Sequence, residues 1–258
     1  MNILFDIGRT KTRVAYYEGG DGFEEPIVFK TSSDFDTQIN LFAEKARELA
    51  KGREIKKVAG GMTRALFGGD YENFKNKLSE KMDAEVLVEN DSAVVGLGEA
   101  NFGAGKGFSI VAYITVSTGV GGARIVDGAI DERAIGFEPG KQIIDIVDGE
   151  GVVLENLISG KALQERTGKH PKEITDSDIW DLHAKYLAIG LNNIIVEWSP
   201  NVVVLGGSMI TGDPAIPLDK TEDYLKEILK VYPEIPVIKK AELGDFGGLY
   251  GGMKLIKN

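Results

Sequence analysis

The chain has 258 residues, no cysteine, two histidines and a formal net charge of −10. The acidic balance argues against general nucleic-acid binding, which needs a basic surface, and the lack of cysteine excludes disulfides, thiolate zinc sites and cysteine nucleophiles. At 43% hydrophobic content the chain can bury real cores, yet no run approaches the roughly 18 apolar residues of a bilayer span. With no basic leader before the first strand, it reads as a cytoplasmic protein without a membrane partner.

In chain order, strand patterns fall at 2–6, 12–17 and 26–30, followed by a helix from about Thr37 to Lys51 with Ile39, Phe42, Ala43 and Ala46 at helical spacing. A strand near 57–60, a helix from Tyr71 to Met82 and a short strand at 85–88 lead to Glu89-Asn90-Asp91, with the next helix at 92–100. The second half repeats the plan. Strands occupy 108–126, helices lie around 154–166 and 177–198, and a strand at 201–205, a helix at 221–231 and a strand at 236–239 follow. A last helix opens in Gly244-Asp245-Phe246-Gly247-Gly248. The alternation predicts an α/β protein of two domains, 1–107 and 108–258, with the helix at 246–258 packing back on the first. Gly103, Gly105 and Gly107 are the expected hinge glycines. His170 sits in a polar loop, and both it and His183 read as surface residues.

Two segments carry the chemistry. Residues 6–13 read DIGRTKTR and residues 115–124 read TVSTGVGGAR, each after an apolar strand and before a second strand. Glycine lets a backbone approach closely, and turn amides beside small hydroxyls suit phosphate oxygens. Either hairpin alone is an ordinary tight turn; the pair suggests two half-domains contacting one polyphosphate. Asp6, at the end of its strand, suits a Mg²⁺ ion held through water. No GxxxxGK[S/T] loop is present, and Arg124 replaces the last glycine of a GxGxxG match. Asp91 is a helix cap or a carboxylate able to accept a hydroxyl proton. Asn90 is likewise a helix cap or a sugar ligand, and Glu138 and Glu155 are solvated groups, helix N-terminal charges or sugar ligands. Gly206-Gly207 is a plain turn or a flat surface for a purine.

Taken in order, these segments resemble the ROK family (repressors, open reading frames and kinases) of the sugar kinase, actin and heat-shock ATPase superfamily. The resemblance also rests on ENDSAVVGLGEANFGAGKG at 89–107, GFEPG at 136–140, LENLISGKAL at 154–163, SPNVVVLGGSM at 199–209 and LGDFGGLYG at 243–251. It implies two RNase H-like domains of actin/hexokinase type around a central cleft, and an ATP-dependent kinase for a hexose or hexose derivative. Gly8, Thr10, Lys11, Ser117, Thr118 and Gly119 would bind ATP phosphates, Gly206 and Gly207 would flank the adenosine, and Asp6 would stand near Mg²⁺. Asp91 would be the general base, with Asn90, Asp91, Glu138, Lys141 and Glu155 around the sugar. Dimers are common in that family, so the resemblance makes a homodimer a further expectation.

The departures are specific. Lys141 stands where many members have a histidine that binds zinc and sugar, and Val153 immediately precedes Leu154-Glu155 where zinc-binding cysteines usually lie, so the structural zinc is expected to be absent. Residues 62–70 lack the usual Pro-Gly turn and Asn-Leu-x-x-Trp-like segment, leaving Tyr71 as the aromatic candidate. Arg9 replaces the second glycine of DIGGTK. Two other readings compete with the kinase. One is a transcriptional repressor, which would carry a helix-turn-helix where only five residues precede Asp6. The other is a weakened, non-catalytic relative that binds sugar or nucleotide and signals to a partner.

Overall fold

In the computed structural model, which describes residues 1–133 and 136–257, the chain divides into two units, 1–102 with 245–258 and 103–244.

The first unit opens with β1 (Asn2–Ile7), β2 (Lys11–Tyr17) and β3 (Ile27–Lys30), an antiparallel meander. α1 (Phe35–Ala50) follows, started by Asp34, whose side chain accepts from the Thr37 N–H, and stopped by Lys51 in the left-handed region. Then come β4 (Lys57–Met62), α2 (Tyr71–Met82), β5 (Glu85–Asn90) and α3 (Asp91–Phe102). β4 and β5 add parallel to β1, giving the order β3-β2-β1-β4-β5. One sheet face packs on α1 and α2 through Phe5, Phe42, Phe74 and Leu78, all fully buried.

The second unit repeats this plan. β6 (Ile110–Val116), β7 (Val120–Val126) and β8 (Ala129–Ile130) form the meander. A separate hairpin, β9 (Ile143–Val147) with β10 (Glu150–Val153), precedes α4 (Leu154–Ile158), α5 (Gly160–Thr167) and α6 (Ser177–Trp198). β11 (Val202–Gly206), α7 (Ser208–Thr211), α8 (Leu218–Ile228) and β12 (Val237–Lys240) complete it. β11 and β12 run parallel to β6, so the order β8-β7-β6-β11-β12 mirrors that of the first sheet. Four consecutive fully buried residues, Val202–Leu205, put β11 in the interior.

The closing helix, α9 (Gly247–Lys257), belongs to the first unit. It lies against α3 because glycines remove the side chains that would keep the two apart: a Cβ on Gly251 would fall inside the Val94 carbonyl. Leu249 and Met253 fill the second face of the first sheet, beside Leu4, Ala15 and Tyr17.

Three expectations are corrected. α8 begins three residues earlier than the apolar pattern suggests, directly after Pro217 at its N-cap. The β9–β10 hairpin is an addition; Ile143, Ile146 and Val147 are more than half exposed, so it lacks the burial alternation that announces a strand. His183 is a core residue, 2% exposed on α6. Its Nδ1 lies 2.7 Å from the Ile179 carbonyl, and burial lowers its pKa.

Candidate functional site

In the first unit the site lies at the carboxyl ends of three parallel strands, where open α/β sheets place ligands. The register sets Asp6, Gly61 and Glu89 in one row and Ile7, Met62 and Asn90 in the next. Asp91 follows as the first residue of α3. Its Oδ1 accepts from the Ser92 N–H at 2.8 Å, and Thr63 also donates to its carboxylate. Burial raises the Asp91 pKa, against the lowering effect of those donors and of the Arg9 charge. Asp6 is pushed to about 6, mainly by burial, with Arg13 pulling down and Asp91 adding repulsion. These two carboxylates feel each other.

Asn90 takes both structural and site positions. Its Oδ1 accepts from the Ala93 N–H at 3.2 Å, capping the first turn of α3, and its Nδ2 donates to the Tyr71 hydroxyl at 3.4 Å. Tyr71, read from the sequence as an aromatic candidate, thus stands beside Asn90.

The β1–β2 turn is closed by the Gly8 N–H donating to the Lys11 carbonyl at 3.1 Å. Arg9, Thr10 and Lys11 are exposed at its tip. A buried polar network that sequence reasoning missed supports this turn from below. Thr31 Oγ1 donates to the Gly8 carbonyl at 2.8 Å and lies 3.0 Å from Thr12 Oγ1, which accepts from Gln38 Nε2 at 3.0 Å. Gln38 Oε1 in turn accepts from the Ser32 N–H. The available signal was a glutamine beside Ile39 on the apolar face of α1, where an unpartnered amide would be costly.

In the second unit the β6–β7 turn is held by the Ser117 N–H, which donates to the Gly119 carbonyl at 2.8 Å. The first amides of α5 also tie it down: Gly160 donates to the Ser117 carbonyl and Lys161 to that of Thr118. Glu155, on α4, accepts from the Val120 N–H at 2.9 Å through Oε2 and from Lys141 Nζ at 2.6 Å through Oε1. Glu138 precedes a 3-10 turn, Pro139–Lys141, and its carbonyl accepts from the Lys141 N–H. Glu138, Lys141 and Glu155 are thereby gathered at the second hairpin.

A cavity of about 330 Å³ lies beside Ser117 and Thr118, lined further by Lys161, His170, Ser208 and Met209. Gly207, at φ +87° with the Val116 carbonyl against its Cα, admits no side chain as β11 turns into α7 at the edge of this cavity. Larger depressions lie in the first unit, the two most spacious of about 590 and 600 Å³. One is at the amino ends of β4 and β5, where Lys56 and Glu85 stand, and the other is beside α1 and α2; neither is lined by Asp6 or Asp91.

Among the described residues no group of three or more His, Asp or Glu side chains is placed to hold a metal ion. Mg²⁺ does not need one: it keeps several waters and binds through one or two carboxylates plus phosphate oxygens. Asp6 fits that role, since a nearby cation would offset both its desolvation and its repulsion by Asp91. No described helix is long and apolar enough to cross a membrane.

The ROK family model matches residues 61–258. The chain belongs to the ROK family. Among ROK relatives, the fructokinase of Pediococcus pentosaceus is 27% identical over 199 residues, 72% of this chain and 69% of that protein. The N-acetyl-D-glucosamine kinase of Mannheimia succiniciproducens is 27% identical over 97% of both chains. The ROK hexokinase of Thermus thermophilus superposes with a TM-score of 0.78 over 99% of both chains at 24% identity, which establishes the two-unit actin/hexokinase-type fold. Relatives also include the xylose repressor of Bacillus spizizenii, 28% identical over 63% of this chain. This chain spans about half of that repressor (47%) and of a Bacillus subtilis relative that is 31% identical over 147 residues (49%).

Proposed function

We propose that this ROK protein is an ATP-dependent kinase that phosphorylates a hydroxyl of a hexose or hexose derivative, with Asp91 as general base. The observation that carries this reading is Asp91 itself, a desolvated carboxylate that opens α3 directly after the β5 strand end and lies close enough to Asp6, beside the first phosphate-shaped turn, to raise its pKa. A base whose pKa is raised toward the working pH takes a proton more effectively. In phosphoryl transfer, positioning and neutralisation of charge contribute most of the rate. Asp91 orients the acceptor hydroxyl and takes its proton, while Asn90 and Tyr71 bind neighbouring hydroxyls. Glu138 and Glu155 supply further sugar acceptors from the second unit. Gly8, Thr10 and Lys11, with Ser117, Thr118 and Gly119, bind the ATP phosphates, and the cavity beside Gly206 and Gly207 takes the nucleoside. Asp6 would hold Mg²⁺ through water, and the bound ion would neutralise phosphate charge. The fructokinase and N-acetylglucosamine kinase relatives support this class of substrate.

ADP release from Mg-ATP across glucose, mannose, fructose, allose, N-acetylglucosamine and N-acetylmannosamine tests it, with Asp91→Asn alongside. The expected result is a sugar-dependent signal reduced about 10²- to 10⁴-fold in the variant, with nucleotide affinity nearly unchanged. Equal activity in Asp91→Asn removes the assigned base.

A second reading, sugar binding without turnover, is favoured by one contact: Lys141 already occupies one oxygen of Glu155 at 2.6 Å. Tight sugar binding with no ADP release selects it over the kinase.

A further inference from the structure

We propose that Arg13 is a positioning residue shared between two carboxylates, which releases Asp6 to a divalent cation by shifting its hold onto Asp245. The inference rests on the Mg-ATP kinase reading and extends it to two residues that the reading leaves without a role.

Arg13 faces Asp6 directly across the β1–β2 ladder. Its Nη1 is 3.3 Å from Asp6 Oδ2, and its Nη2 is 2.7 Å from Asp245 Oδ2. The shorter distance is that of a full charge-assisted hydrogen bond, whereas the longer one is at the loose end of the range. The guanidinium is therefore anchored on Asp245 and only lightly engaged with Asp6. Burial makes this division consequential: the Arg13 and Asp6 side chains are 14% and 15% exposed, against 78% for Asp245. A buried charge that loses its only partner is strongly disfavoured. The planar five-donor fork of arginine holds two carboxylates at once, so Arg13 can give up Asp6 and keep a partner.

The floor under Asp6 fixes where this exchange happens. A Cβ on Gly248 would lie 2.9 Å from both Cβ and Cγ of Asp6, so the first turn of α9 presses bare backbone against the carboxylate. Asp245 and Gly248 come from one short segment, more than 230 residues from Asp6 in sequence. That segment sets both the rest position of the carboxylate and the alternative partner of its arginine.

The test adds Mg²⁺ to the full chain in the presence of a fluorescent, non-hydrolysable ATP analogue and reads analogue binding, not turnover. Asp245→Asn leaves Arg13 with Asp6 as its one carboxylate in this cluster. The half-saturating Mg²⁺ concentration is expected to rise about three- to tenfold, the net scale of one ordinary hydrogen bond. Affinity measured without Mg²⁺ stays as in the wild type. Asp245→Glu restores the wild-type requirement, and the double variant Asp245→Asn/Arg13→Met returns it to the wild-type value or below. A Mg²⁺ requirement unchanged in Asp245→Asn, or a double variant in which the two effects merely add, overturns the exchange and leaves the kinase reading standing. Absence of Mg²⁺-dependent analogue binding in the wild type overturns both.

Discussion

Replacing Asp6 with asparagine should make the first unit more stable while disabling the proposed chemistry. The carboxyl titrates at about 6 in the folded chain against an ordinary 3.8. At about 1.4 kcal/mol for each tenfold change in proton affinity, the charged form costs the fold about 3 kcal/mol. The sign follows from linkage. Between pH 4 and 6 the unfolded chain releases its proton first, so stability falls across that window and levels off above pH 7. Below pH 4 both states are protonated and nothing is lost. Asp6→Asn removes this dependence, and Arg13 keeps its 2.7 Å bond to Asp245. The expected gain is about 2–3 kcal/mol at pH 7.5, shrinking to within about 0.5 kcal/mol of wild type at pH 4. Both tryptophans, Trp180 and Trp198, lie in the second unit, so their fluorescence reports the wrong part of the chain. Native-state hydrogen exchange at the β1 amides reads the right one. A gain of equal size at both pH values, or none at pH 7.5, refutes burial as the cause.

Two further outcomes are expected. Gly251→Ala drives a methyl group into the Val94 carbonyl, and separation of α9 from α3 should cost about 3 kcal/mol or more, seen as early exchange of the α9 amides while the second unit keeps its protection. Lys141→Met breaks the 2.6 Å pair with Glu155; in steady-state kinetics with whichever sugar is turned over, KM should move about two- to tenfold with kcat nearly constant, as for a group acting in ground-state binding, and a change confined to kcat contradicts that role.

Much of this architecture was legible because it rests on local signals. An apolar run ending in Gly and Thr, followed by a second strand, marks both hairpins, and the span 177–198 was readable because Asp176 caps one end of α6 and Ser199 turns left-handed at the other. Asp91 stood out as a polar residue between a strand and a helix. What escaped depends on pairing between distant segments. Arg13 gains its meaning from a cross-strand register and from Asp245, neither visible in the composition of β2. Gln38 looks like an interruption of an amphipathic helix until Thr12 and Thr31 supply its partners. The burial of His183 is encoded in period and not in residue type, since Trp180, His183, Ala184 and Leu187 keep helical spacing on one face.

The placement of α9 has a consequence for synthesis on the ribosome. The second unit is one uninterrupted stretch, residues 103–244, whereas the first needs residues 245–257 to cover one face of its sheet. At ordinary elongation speeds, translating the intervening 142 residues (244 − 103 + 1) takes on the order of ten seconds. During that interval Leu4, Ala15 and Tyr17 have no Leu249 or Met253 to meet, so the half of the molecule made first is the half finished last. The nascent chain would carry an open apolar sheet face past its neighbours on the polysome, a natural point of contact for chaperones that bind exposed apolar surface.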